Sequence, residues 1–149
     1  MIQRAQTLYI LIALGLMIAF LFMPFGYVKP VDIETNQSTF EALKALNFTG
    51  LVIPTAICLL TLVIAFLSFS NLNAQKIFTG ISCLLSLACV GVVIYILSAG
   101  MYDTNPAVKI STEWGGGGFF LIGAAIAEIA AFVSISSDQR KLRASNRLR

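Results

Sequence analysis

The chain has 149 residues, of which 58% are hydrophobic and 11% charged, with a net charge of +3 and a mean hydropathy of +0.87. A soluble domain carries about 25% charged residues, so this composition excludes a monomeric globular protein free in water. There is no histidine, which removes imidazole acid-base catalysis and histidine-ligated haem or metal sites.

A helix needs about 20 apolar residues to cross a bilayer. Arg4 and Lys29 enclose 24 uncharged residues, Lys44 and Lys76 enclose 31, and Lys76 and Asp103 enclose 26. A fourth stretch between Glu113 and Asp138 is interrupted only by Glu128. The expected fold is an all-α integral membrane protein, an up-down-up-down bundle of four transmembrane helices. The spans are expected over 6–24, 50–69, 76–99 and 117–136 of a single domain covering 1–149, followed by a short basic tail, 138–149.

The apolar run Ala5 to Tyr27 is longer than the 7–15 residues or so of a signal-peptide core, and no small-residue A-x-A site follows it. A retained first helix is therefore expected. Tyr9 suits the headgroup level, and Pro24-Phe25-Gly26 ends the span. In the loop Lys29 to Asn47, Ser38-Thr39-Phe40-Glu41 matches a capping box. The apolar stripe Phe40, Ala42, Leu43 and Leu46 then predicts a two-turn helix on the membrane surface, with a partner-docking helix as the alternative.

The second span is expected to carry Pro54 in its first turn. Ser70-Asn71-Leu72-Asn73-Ala74 is short and turn-rich, so spans two and three form a tight antiparallel hairpin. A second long loop, Gly100 to Gly116, contains an Asn105-Pro106 turn and leads into four consecutive glycines, Gly115 to Gly118. A glycine cradle for phosphate follows a strand and carries a lysine. Neither condition is expected here, so flexibility or close backbone packing is the better reading.

Cys58, Cys83 and Cys89 all fall in apolar helix with no C-x-x-C pair, which disfavours thiol redox chemistry and leaves them as small buried hydrophobes. With the N-terminus inside, the inner face holds Arg4, Lys76, Arg140, Lys141, Arg143, Arg147 and Arg149, against Lys29, Lys44 and Lys109 outside. That excess places both termini in the cytoplasm. Tyr27, Tyr102 and Trp114 then fall near the outer interface. No internal repeat relates the two halves, which weakens a transporter built by duplication.

Glu128 is the one ionisable residue near the middle of a span, where a carboxylate costs about 2.5–3.5 kcal/mol. It precedes Asp138 by ten residues, or about 15 Å of helix. The same depth falls at Ser86 on span three, at Thr61 counted back from Asn71 on span two, and at Leu14 beside Gly15 on span one. Ser82, Ser86 and Cys89 share one helical face. These residues predict a small polar layer with Glu128 bonded to Ser86, Thr61 or both. No span carries a cation, so desolvation favours the neutral acid. The layer is either a proton or cation site or interhelical glue.

Gly123, Ala127 and Ala131 form a small-x-x-x-small series, expected to pack helices within the monomer, with a homodimer or partner seam as the alternative. Arg140, Lys141, Arg143, Arg147 and Arg149 in the tail, with Arg4, are expected to anchor the protein to anionic lipid headgroups, which makes a nucleic-acid role unnecessary.

The opening Met1-Ile2-Gln3-Arg4-Ala5-Gln6-Thr7-Leu8-Tyr9 and the closing Arg147-Leu148-Arg149 resemble the ends of a family of small bacterial four-span membrane proteins of unknown function. The resemblance covers essentially the whole length in span count, loop lengths and terminal motifs. It implies an inner-membrane location and carries over no activity, ligand or catalytic residue. The polar first turn can by itself anchor to lipid phosphates through Arg4, or form a docking face with Arg147 and Arg149.

With no paired intramembrane carboxylates and no activated nucleophile, an enzyme is not expected. No cofactor or metal is expected either. The expected function is a non-enzymatic accessory or scaffold binding another membrane protein. The alternative is a small proton- or cation-coupled transporter or channel, oligomeric and using Glu128. Expected partners are the lipid bilayer and either a membrane protein or further copies of the chain.

Overall fold

Four apolar stretches bounded by charges have one low-energy form in a bilayer: each satisfies its backbone internally as a helix. The computed structural model, which describes residues 3–31, 41–99 and 109–147, has this form. Its helices are α1 Gln3–Phe22, α2 Thr49–Leu67, α3 Leu72–Ala99 and α4 Gly116–Arg147. All four are long and apolar enough to cross a membrane, the arrangement of a multi-pass membrane protein. Their outward faces carry Leu8, Ile53, Leu60, Ile77, Leu84, Phe119, Ile126 and Val133, all widely exposed. Bare apolar surface on every helix is what hydrocarbon covers.

The helices form a ring in which α1 packs on α4 and α2, and α3 packs on α2 and α4. Sequential neighbours run antiparallel. Gln6 of α1 meets Asp138 of α4, Leu16 lies against Gly123, and Met23 lies against Gly117. One end of the bundle holds the start of α1, the end of α4 and the α2–α3 connection; we call it the termini end.

The other end is closed by a three-stranded antiparallel sheet in the order β2-β1-β3. Its strands are β1 Pro24–Val31, β2 Glu41–Lys44 and β3 Lys109–Trp114. Tyr27 pairs with Ala42 on one side and with Glu113 on the other, and the register shifts between Pro24 and Gly26. Pro24-Phe25-Gly26 follows closely on the end of α1, as expected of a break, and also opens β1. The sheet overturns one expectation. Glu41–Lys44, read as the middle of a surface helix, is β2, followed by a 3-10 turn over Ala45–Asn47.

The physical reason is tertiary. The 41–44 backbone pairs with β1, and Leu43, opposite Gly26, turns inward and is buried, as is Val28. The capping residues Ser38, Thr39 and Phe40 lie outside the described residues, as do Tyr102 and the Asn105-Pro106 turn. Phe25 fastens the sheet to the bundle, its ring centroid 6.4 Å from that of Phe20 and 5.7 Å from that of Phe48.

The glycine run has a packing role. Gly115 N–H donates to Phe25 O at 2.8 Å. A Cβ on Gly117 would stand 2.7 Å from Met23 O, so the start of α4 lies directly on the β1 backbone. The run does follow a strand, contrary to expectation. Backbone fills the space a phosphate would need, and no lysine follows.

Helix limits differ from the expected spans by one to three residues at most ends, and three of the differences matter. α2 starts at Thr49, so Pro54 sits beyond its first turn. α3 starts at Leu72, where the Asn71 side chain accepts from the N–H groups of Asn73 and Ala74 as a cap. α4 continues through the basic tail to Arg147. At 32 residues it is about 48 Å long, more than a hydrocarbon core of about 30 Å needs.

Candidate functional site: a carboxyl held between three helices

α3 puts an unbroken polar stripe inside the bundle. Gln75, Thr79, Ser82, Ser86 and Cys89 recur at helical spacing on one face, and all are buried. Towards the sheet end the same face turns apolar, with Val93, Ile96 and Leu97 buried.

Glu128 projects from α4 onto this stripe and is 0% exposed. Ser86 Oγ donates to Glu128 Oε2 at 2.7 Å, and Ser82 Oγ donates to Oε1 at 2.9 Å. From α2, Cys58 Sγ donates to Oε1 at 3.5 Å and lies 3.0 Å from Ser82 Oγ. One carboxyl thus ties together α2, α3 and α4. Hydroxyl and thiol groups can donate and accept, so the cluster can satisfy the acid or the carboxylate. None of the partners is basic.

Of the groups expected around Glu128, Ser86 bonds it and Thr61 does not. Thr61 is buried, and its hydroxyl donates to Cys58 O of its own helix at 2.8 Å. The cause lies in the chain's path at the termini end. α2 stops at Leu67 and is capped at Ser68. Residues 68–70 therefore form the turn and add no helical depth. Counting ten residues back from Ser68 rather than Asn71 gives Cys58, the residue that reaches the carboxyl.

Cys58 is therefore more than the buried hydrophobe expected, and depth counting from the true helix end would have found it. Two further polar links were missed. Thr55 donates to Leu51 O at 2.6 Å and lies 3.8 Å from Cys89 Sγ, extending the cluster towards the sheet end. At the termini end Gln6 Nε2 donates to Asp138 Oδ2 with both residues buried, and Lys141 Nζ stands 3.8 Å from Asp138 Oδ1.

In the small-residue series, Gly123 packs on Leu16 of α1, with Cδ1 3.3 Å from where a Cβ would be. Ala127 and Ala131 are buried inside the single chain. The α4 side chains left outward are instead Phe119, Ile126, Ile129 and Val133. Arg140, Lys141 and Arg143 are exposed on the last turns of α4. Arg4 and Arg147 lie within α1 and α4, and Arg149 lies outside the described residues.

Among the described residues no cluster of histidine, cysteine and carboxylate side chains could hold a metal ion. No curated protein and no solved structure matches this chain. The family model described as "Domain of unknown function (DUF4293)" matches residues 2–148, nearly the entire length, and the chain belongs to that family.

Proposed function

We propose that the protein is a non-enzymatic accessory or scaffold of the bacterial inner membrane that binds another membrane protein, with both termini in the cytoplasm. The carrying observation is that Glu128 is fully buried with both oxygens bonded by groups on two other helices. A carboxyl engaged in this way locks three helices at fixed depth and rotation. A locked bundle presents constant outward faces, such as the Phe119, Ile126 and Val133 stripe of α4, and a constant sheet to a partner. Orientation rests on the charge tally of the sequence, seven Lys and Arg residues on the expected inner face against three outside.

The test is crosslinking in native membranes followed by purification of the full-length protein. A defined membrane-protein partner that is retained with Glu128→Gln supports the reading. Loss of every crosslink to other proteins at all outward positions of α4 sinks it.

A second reading, proton or cation translocation through Glu128, is favoured by the polar stripe of α3. From Glu128 it passes Thr79 and Gln75 towards the buried Gln6–Asp138 pair at the termini end. Carbodiimide labelling of Glu128 in native-lipid membranes separates the two. Labelling that depends on bulk pH requires exchange with water, whereas a locked carboxyl stays unlabelled.

A further inference from the structure

Two hollows lie end to end between α3 and α4 near the termini end. The outer one, about 450 Å³, mixes the polar side chains Ser70, Asn71, Asn73, Gln139 and Arg143 with Leu72 and Leu142. The inner one, about 470 Å³, is apolar apart from Lys76 and is lined by Ile77, Gly80, Ile81, Leu84 and Phe132. Helical spacing joins them. Asn73, Lys76, Ile77, Gly80 and Leu84 share one face of α3, and Phe132, Gln139 and Arg143 share one face of α4.

Gly80 creates the floor of the inner groove. A Cβ there would stand 3.3 Å from the Phe132 ring, so the missing side chain lets that ring lie down against α3. Ile77 and Leu84 form a rim that is 60% and 71% exposed, on the surface that faces hydrocarbon. Lys76 Nζ is held 5.3 Å from the centroid of the Phe132 ring, which keeps the ammonium at the mouth of the groove.

We infer that this composite groove binds one anionic phospholipid, an acyl chain lying over Gly80 and Phe132 and the phosphate held between Lys76 and Arg143. The order of the two hollows matches the order of a lipid's parts. The apolar groove lies at membrane depth, and the outer hollow, with amide and hydroxyl donors, lies beyond it. Two cations and no acidic lining residue select a negative headgroup, and both volumes fall in the range of ligand sites, about 300–1,000 Å³. This site is separate from Glu128 and stands whichever reading of that carboxyl holds.

The test uses the delipidated full-length protein in neutral detergent, titrated with phosphatidylglycerol or with phosphatidylcholine of the same chains and followed by native mass spectrometry. The expected result is saturable binding of one phosphatidylglycerol. Phosphatidylcholine should bind about thirtyfold more weakly, the effect of two basic residues at a lipid surface. Lys76→Gln and Arg143→Gln should each weaken phosphatidylglycerol about fivefold. Leu84→Trp, which lays an indole across the groove, should abolish saturable binding. Lys44→Gln, exposed at the opposite end of the bundle and outside both hollows, should leave binding unchanged. Equal binding of the two lipids, wild-type affinity in Lys76→Gln, or glycerol phosphate binding as tightly as the whole lipid would each overturn the proposal.

Discussion

Ser86 Oγ lies 2.7 Å from Glu128 Oε2, joining the middle of α3 to the middle of α4 across the bundle interior. The bond closes a cluster in which Ser82 and Cys58 take the other oxygen. Its energetic weight is readable by substitution. Hydrogen bonds between membrane helices contribute about 0.6–2 kcal/mol each, so Ser86→Ala should lower unfolding free energy by that amount. Glu128→Leu removes the acceptor of two buried hydroxyls and should cost about 1–3 kcal/mol, whereas Glu128→Gln keeps an acceptor and should cost less. Reversible unfolding in lipid or mild detergent measures all three. A Glu128→Leu protein as stable as wild type would show that the cluster does not lock the helices.

The Gln6–Asp138 contact fastens α1 to α4 at the termini end of the bundle. Both partners are buried, while the neighbouring Lys141 side chain is 67% exposed. Asp138→Ala strands the Gln6 amide and should destabilise by about 1–3 kcal/mol. Lys141→Gln removes only a screened surface pair and should change stability by less than about 1 kcal/mol. Comparing the two variants by thermal unfolding checks the ranking, and a larger loss from Lys141→Gln would contradict it.

Adjacent glycines at the start of α4 should behave oppositely. A Cβ on Gly117 would stand 2.7 Å from Met23 O, whereas one on Gly116 would meet nothing within 4 Å. Gly117→Ala must displace backbone and should cost about 1–3 kcal/mol. Gly116→Ala should be neutral or stabilise by up to about 1 kcal/mol through helix propensity. The yield of folded protein and its melting temperature, measured side by side, decide the matter.

Orientation is open to a direct chemical check. Lys44 lies exposed at the sheet end and Lys141 exposed at the termini end. With both termini cytoplasmic, an impermeant maleimide should label Lys44→Cys in spheroplasts and label Lys141→Cys only after the inner membrane is opened. The reverse pattern would invert the proposed topology.

Phe25 carries the sheet. Its ring is fully buried between Phe20 of α1 and Phe48 ahead of α2. Phe25→Ala should cost about 3–5 kcal/mol. Limited proteolysis should then cut the sheet end first, and cutting that begins at the termini end would place the weak point elsewhere.

The four helices were legible from the chain because their cause is local: charges at intervals and uninterrupted apolar residues between them leave a helix as the only satisfied backbone. The level of Glu128 and its pairing with Ser86 were legible for the same reason, since depth along a helix is a matter of counting. Helix rotation and the ends of the helices are not local. Three residues spent in the turn after α2 moved the contact on that helix from Thr61 to Cys58. The sheet was hidden because β1, β2 and β3 are brought together only by the antiparallel packing of the helices that flank them. Glu41–Lys44 carries a helical signal that pairing with β1 overrides. The groove beside Gly80 likewise exists only where Phe132 of another helix lies against α3. Composition and charge spacing determined four helices long and apolar enough to cross a membrane. Which side chains meet between them, and what closes the sheet end, were decided by contacts between segments far apart in the chain.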